Sequence, residues 1–264
     1  TSVNQGETLD EKWSFTSSTV NNEITLYAKW MINKYTITFH SNGGSSVNEM
    51  IQDYESIINE PIMPTREGYT FLGWYNDSLL TTPYEFTSMP ASDLNLYAKW
   101  SINQYTINFN SNDGSSVESI TQEYETVVNA PNEPIREGYI FSGWYSNITL
   151  TTAYSFSTMP ARDITLYAKW NIETYRITYN LDGGINQTNP SAYTIETKDI
   201  ILNDSIKEGS NFGGWYEDTD FTGTKITSIP SGSVGDIVLY AKWSTNQYTI
   251  TFISNGGSEV PSIK

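Results

Sequence analysis

The chain has 264 residues, 38% of them hydrophobic and 14% aromatic, and a formal charge of −16. It has no Cys and one His, which excludes disulfide frameworks, thiol catalysis and thiolate metal sites and leaves imidazole chemistry to His40 alone. The acidity repels nucleic acid, anionic sugar polymers and acidic membranes at long range, and no apolar run approaches the roughly 20 residues of a membrane-spanning helix.

Residues 1–30 close on Leu26-Tyr27-Ala28-Lys29-Trp30, and this pentapeptide returns with its tryptophan at Trp100, Trp170 and Trp243, a spacing of 70, 70 and 73 residues. A fixed period of this kind marks a tandem array, so it is read before any single element. Residues 1–30 are expected to be the end of a preceding repeat, with Trp13 and Phe15 in the places of Tyr84 and Phe86. Full modules are expected at 31–100, 101–170 and 171–243, and residues 244–264 read as the opening hairpin of a following one.

Each module begins with alternating residues, Tyr35-Ile37-Phe39, Tyr105-Ile107-Phe109, Tyr175-Ile177-Tyr179 and Tyr248-Ile250-Phe252. A period of two in β-branched and aromatic residues predicts a half-buried strand. Turn clusters follow at Asn42-Gly43-Gly44, Asn112-Asp113-Gly114, Asp182-Gly183-Gly184 and Asn255-Gly256-Gly257, residues that accept the positive φ of a hairpin. Between Asp53 and Pro64 strand and helix signals are both weak, which leaves a short helix across the sheet open.

Arg66-Glu67-Gly68-Tyr69 then leads into Phe71-Leu72-Gly73-Trp74-Tyr75, with counterparts at 136–145 and 207–216. A third strand is expected there, Gly73, Gly143 and Gly214 marking a bulge or a close approach of backbone. Met89-Pro90, Met159-Pro160 and Ile229-Pro230 interrupt a Thr/Ser-rich crossing before the closing strand. In that strand Leu96, Ala98 and Trp100 are expected inward and Tyr97 and Lys99 outward; a buried Trp100 implies a loss of roughly 3–5 kcal/mol for Trp100→Ala.

Taken in order, Tyr-Thr-Ile-Thr-Phe, Ser-Asn-Gly-Gly, Arg-Glu-Gly-Tyr-x-Phe-x-Gly-Trp-Tyr and Leu-Tyr-Ala-Lys-Trp resemble the Listeria–Bacteroides repeat, the internalin-type B-repeat family. The resemblance covers 31–243 as three copies and the flanks as partial ones. It implies a mostly β, β-grasp-like module of about 70 residues in secreted or wall-attached bacterial surface proteins, and it carries no catalytic residues. The third copy departs from the pattern with Ser210 for tyrosine, Tyr179 for phenylalanine and three extra residues, expected around Asp218-Thr219-Asp220-Phe221-Thr222-Gly223.

Reactive constellations are few. His40 is matched by Asn110, Asn180 and Ile253, so a solvated surface histidine is expected. Asp218-x-Asp220-x-Thr222-Gly223 looks like half a calcium loop, yet the place of the bidentate acid is Ile229, and a polar Asx turn is the plainer reading. Asp53 and Glu55 read as a solvated acidic face rather than an acid–base pair. Lys29, Lys99, Lys169 and Lys242 recur once per repeat and raise the idea of a Lys–Asn or Lys–Asp cross-link, against which strand alternation points them outward. Tyr69, Phe71, Trp74, Tyr97 and Trp100 are expected mostly in the core, since a module this small has little else to bury.

No catalytic, cofactor-binding or metal residues are therefore expected. The expectation is a non-enzymatic spacer in an extracellular, cell-surface or wall-attached protein, its partners being the neighbouring repeats. The alternative is that the repeats are themselves adhesive and bind a host protein or glycan. Four residues separate Trp100 from Tyr105, with no Gly or Pro among them, so neighbours are expected to be rigidly coupled, and three modules in line would reach on the order of 90 Å.

Overall fold

The computed structural model describes residue 16 and residues 21–264; Trp13 and Phe15 lie outside the described residues. Contacts divide the chain into two compact units. The first runs to Tyr105 and takes in Glu123–Glu125; the second holds Thr106–Gln122 and Thr126–Lys264.

In the first unit β1 (Lys34–His40), β2 (Met50–Asp53), β3 (Tyr69–Tyr75) and β4 (Leu94–Ile102) form one sheet in the order β2-β1-β4-β3. The two inner strands run parallel, Ile37 opposite Leu94 and His40 opposite Tyr97, and the outer strands are antiparallel to their neighbours. The predicted alternation holds: Ile37, Phe39, Leu96 and Ala98 are buried, while Thr36, Thr38 and Tyr97 face the other side and are only half-buried. The turn at Asn42-Gly43 is tight and left-handed, with φ of 49° and 88°. It does not join the paired strands directly, because pairing resumes only at Met50.

No helix forms among the described residues. Residues 54–68 cross the sheet in extended and irregular conformation, with Glu55 at φ 63°, and Pro61 and Pro64 each lack an amide hydrogen to give a helix. Backbone bonds tie this crossing to residues 87–89 instead: Ile58 N–H donates to Thr87 O at 2.8 Å and Met89 N–H to Ser56 O at 2.9 Å. Ile58 and Met89 thereby cover the inner face of the sheet in place of a helix, joining Ile37, Phe39, Trp74, Leu96 and Ala98 in one core.

Gly73 resolves into a bulge. The β3–β4 register shifts between Phe71 and Gly73, Gly73 has φ 126°, and nothing lies within 4 Å of where its Cβ would be. The extra residue keeps both Phe71 and Trp74 against the core, which strict alternation would not allow.

The plan recurs twice more along the chain, mostly in residues of the second unit. Strands β5 (Gln104–Asn110), β6 (Ile120–Glu123), β7 (Tyr139–Tyr145) and β8 (Ile164–Ile172) form a sheet in the order β6-β5-β8-β7. Next come β9 (Tyr175–Asn180), β10 (Ala192–Tyr193), β11 (Ile200–Ile201), β12 (Ser210–Tyr216), β13 (Ser228–Ile229) and β14 (Ile237–Thr245). They make a sheet of order β10-β9-β14-β12 and a separate β11-β13 pair, and that pair is the grown form of the single bridges Ile57–Ser88 and Val127–Thr158 of the first two copies.

The extra length of the third copy sits elsewhere than the 218–223 loop. Asp163 and Asp236 are equivalent, each accepting from the first inner strand, Thr106 N–H at 2.8 Å and Arg176 N–H at 2.7 Å. Three residues separate Met159 from Asp163 and six separate Ile229 from Asp236. The three extra residues thus fall within Ser231-Gly232-Ser233-Val234-Gly235, in which two glycines hold φ of 81° and 90°. Tyr179, which replaces phenylalanine, donates from its hydroxyl to Pro190 O at 3.0 Å, and burial pushes that phenol up to about 12.

Candidate functional site: clamp, loop and seam

Three constructions recur, and none is a reactive centre. The first is a tryptophan clamp. Trp100 Nε1–H donates to Ser41 O at 2.9 Å, Trp170 to Ser111 O at 2.8 Å and Trp243 to Leu181 O at 2.9 Å. The indole lies so close that a Cβ on Gly44 would stand 2.4 Å from its ring, and on Gly114 or Gly184 2.5 Å. Asn42 and Asn112 complete the clamp by donating from Nδ2 to Ala98 O and Ala168 O, at 2.8 and 2.7 Å. In the third copy Asp182 cannot donate, and Lys207 pairs with it at 3.0 Å instead. The turn signal was plain in the sequence, but the last glycine of each cluster is required by a tryptophan almost a whole repeat away. Gly44→Ala is accordingly expected to cost about 1–3 kcal/mol, as overpacking does, read from urea unfolding.

The second is a surface loop closed by one side chain. Asp77 accepts from Thr82 N–H at 2.9 Å and Thr81 N–H at 3.1 Å, Asn147 from Thr151 and Thr152 N–H at 3.1 and 3.2 Å, and Asp218 from Thr222 and Gly223 N–H at 2.9 and 3.0 Å. The half calcium loop is therefore an Asx-type turn whose carboxylate is engaged by amides. The Thr82 amide holds the Asp77 carboxyl below its ordinary value of 3.8, and the Thr222 amide does the same for Asp218. A folded pKa that is lowered gives stability present above the unfolded value and lost as pH falls through the folded one. Asp77→Asn, which copies the second repeat, is expected to flatten the fall of the thermal midpoint below about pH 4; an unchanged acid limb would contradict it.

The third is a seam. In the first unit Gly68, buried at φ 74°, accepts from Asn103 N–H at 2.9 Å, and Asn103 O accepts from Tyr124 N–H at 2.9 Å. The Tyr124 ring lies where a Gly68 Cβ would be, 2.0 Å from its Cδ1. Tyr69 and Tyr105 meet that ring edge-on at 6.1 and 6.4 Å, and the Arg66 guanidinium covers Tyr69 at 3.6 Å. The second unit repeats the arrangement: Gly138 accepts from Glu173 N–H at 2.9 Å, Ile195 lies 2.6 Å from where its Cβ would be, and Tyr139 donates to Glu196 at 2.6 Å. That bond to Glu196, foremost, pushes the Tyr139 phenol up. At Gly209 the backbone bond from Asn246 persists at 2.9 Å, but nothing stands within 4 Å of its Cβ position.

The candidates singled out in the sequence are scattered. His40 is half-buried, stacked on Tyr97 at 4.5 Å and bonded to Asn95 at 3.0 Å, so it is less solvated than expected because Tyr97 offers a ring face. Asp53 forms an exposed ion pair with Lys34 at 2.6 Å, a pairing of little energetic weight. Lys99 is off the core, as alternation required, yet half-buried: its Nζ donates to Leu80 O at 3.1 Å and sits 4.6 Å from the Tyr75 ring centre. Lys169 and Lys242 lie likewise over Tyr145 and Tyr216. Of the five aromatics, Trp74 is core, Phe71 and Trp100 pack against it, Tyr69 belongs to the seam and Tyr97 to the opposite sheet face. The described residues contain no group of three or more His, Asp or Glu placed to hold a metal ion, and no helix among them is long and apolar enough to cross a membrane.

Sheet, clamp, loop and seam recurring in register define a tandem array of small β modules. The Listeria-Bacteroides repeat domain matches residues 4–29, 35–99, 105–169 and 175–242, and the chain belongs to that family. Two proteins of Evansella cellulosilytica named as membrane proteins, one of them Gly-rich, are similar at 42% identity over 91% of this chain and 39% over 96%. Internalin H of Listeria monocytogenes is 34% identical over 63% of the chain. The chain spans 28%, 40% and 30% of these three relatives respectively.

Proposed function

We propose that this segment is a non-enzymatic spacer of an extracellular, envelope-attached bacterial surface protein, its modules divided at 31–100, 101–170 and 171–243 and projecting a binding domain from the cell. The observation that carries the reading is the seam, in which a buried glycine of one repeat is filled by a side chain of the next at Gly68–Tyr124 and again at Gly138–Ile195. A connection of a few residues, bonded at both ends and filled by a side chain, has few conformations to explore. A net charge of −16 suits a stalk that must avoid self-association. The internalin and membrane-protein relatives support the same setting.

The absence of Cys allows clean labelling. Spin labels at Ser78→Cys and Thr219→Cys, both exposed loop positions, are expected to give one narrow distance distribution that is unchanged by salt. A broad distribution spanning tens of ångströms would remove the rigid spacer and leave a flexible tether.

A further inference from the structure

The residues around one recess on the outer sheet face of the second copy differ from their counterparts in the first. In the second copy it has a volume of about 390 Å³ and is lined by Ser146, Asn147, Ile148, Tyr154, Arg162, Ile164, Thr165 and Tyr167, a volume within the range of small-ligand sites. At the loop-closing position Asp77 and Asp218 bring a carboxylate, whereas Asn147 brings none. The place of Arg162 is Ser92 in the first copy. His40 stacks over Tyr97 there, but its counterpart Asn110 turns its side-chain oxygen to Asn112 N–H at 3.0 Å, and among the described residues no ring stacks on Tyr167.

Three substitutions thus act together around the recess: a carboxylate is removed, a guanidinium is added and the ring that stacks on the tyrosine is lost. No carboxylate lines the recess, and Arg162 has no ion-pair partner among the described residues, in a chain of charge −16. A guanidinium offers a planar fork of N–H donors suited to a carboxylate. A tyrosine ring face suits the C–H face of a pyranose, with hydroxyl and amide groups around it to receive the sugar hydroxyls.

We infer that this recess of the second repeat binds a single carboxylated sugar residue at the end of an otherwise neutral glycan. One cation and one ring face match one such residue. The overall negative charge selects against polyanionic chains, in which each further carboxylate is repelled. An acidic peptide would bring a carboxylate without the apolar ring face. The inference is independent of the spacer reading, since a rigid stalk can carry a lateral site.

The test is amide chemical-shift titration of the whole chain with a glucuronate-terminated disaccharide, its glucose-terminated analogue, acetate and a glutamate-containing tripeptide. The acidic disaccharide is expected to shift residues 146–148 and 162–167, and Arg162→Gln, at an exposed position, to weaken it by about tenfold or more, the scale of one charge-assisted bond. Asn147→Asp, which restores the carboxylate of the other copies, is expected to weaken it as well, with the remaining spectrum unchanged. Equal binding of the neutral disaccharide, of acetate or of the peptide overturns the inference, as does an Arg162→Gln protein that binds undiminished or a wild-type spectrum that no ligand shifts.

Discussion

Trp74→Ala is expected to lower the unfolding free energy of the first repeat by about 3–5 kcal/mol, the range for large aromatic truncations in cores. Trp74 is only 4% exposed, and its ring meets Phe39 at 4.8 Å and Phe71 at 5.5 Å, both edge-on. Phe71 carries the contact on to Trp100 at 5.3 Å, so the cavity left by Trp74 would loosen the clamp as well. The same chain of rings runs through Phe109, Trp144, Phe141 and Trp170, and through Tyr179, Trp215, Phe212 and Trp243. A small module has few other large side chains to bury. Trp100 is half-buried, and Trp100→Ala is expected to cost less than Trp74→Ala. A loss under about 1 kcal/mol in urea unfolding of the Trp74 variant would contradict this core.

Gly68→Ala is expected to be the most damaging single methyl addition at the seam, and Gly209→Ala provides its control. Both glycines hold similar left-handed backbone, φ 74° and 68°, so both variants carry the strain of an L-residue at positive φ, about 1 kcal/mol. Only Gly68 also meets a neighbour, Tyr124, 2.0 Å from the new carbon. Overpacking adds about 1–3 kcal/mol, or is relieved by expelling Tyr124 from its seat. The difference between the two variants therefore measures the seam apart from the backbone. Equal losses at both positions would mean that the seam contributes nothing, and Gly138→Ala should follow Gly68→Ala because Ile195 stands in the same place.

Much of the module was legible in its pattern of apolar residues. The strands containing Tyr35-Ile37-Phe39 and Leu96-Ala98-Trp100 follow from a period of two, whereas Gly73 in the third strand was readable as a bulge or a close approach of backbone, and the register shift between Phe71 and Gly73 decides for the bulge. The crossing from Asp53 to Pro64 was not legible: its structure comes from pairing with residues 87–89, and neither segment carries a periodic signal alone. The place of the third copy's extra residues was not legible, because the anchors that fix the alignment, Asp163 and Asp236, are hydrogen-bond partners visible only in the fold.

The seam was hidden for a related reason. Gly68 and Gly138 look like ordinary turn glycines, and the side chains that require them belong to the following repeat, one aromatic and one aliphatic. The recurrence of glycine directly before the third strand, at 68, 138 and 209, was the available signal. The loop-closing residue was masked by its variation between Asp and Asn, which differ in charge yet accept the same amide bonds.

The most direct test of the spacer account is small-angle scattering of the chain in solution. Rigidly coupled modules in line predict a rod with a maximum dimension on the order of 90 Å or more, little flexibility, and a measurable gain of flexibility in Gly68→Ala. A compact particle, or a wild-type chain as flexible as the Gly68→Ala variant, would contradict it.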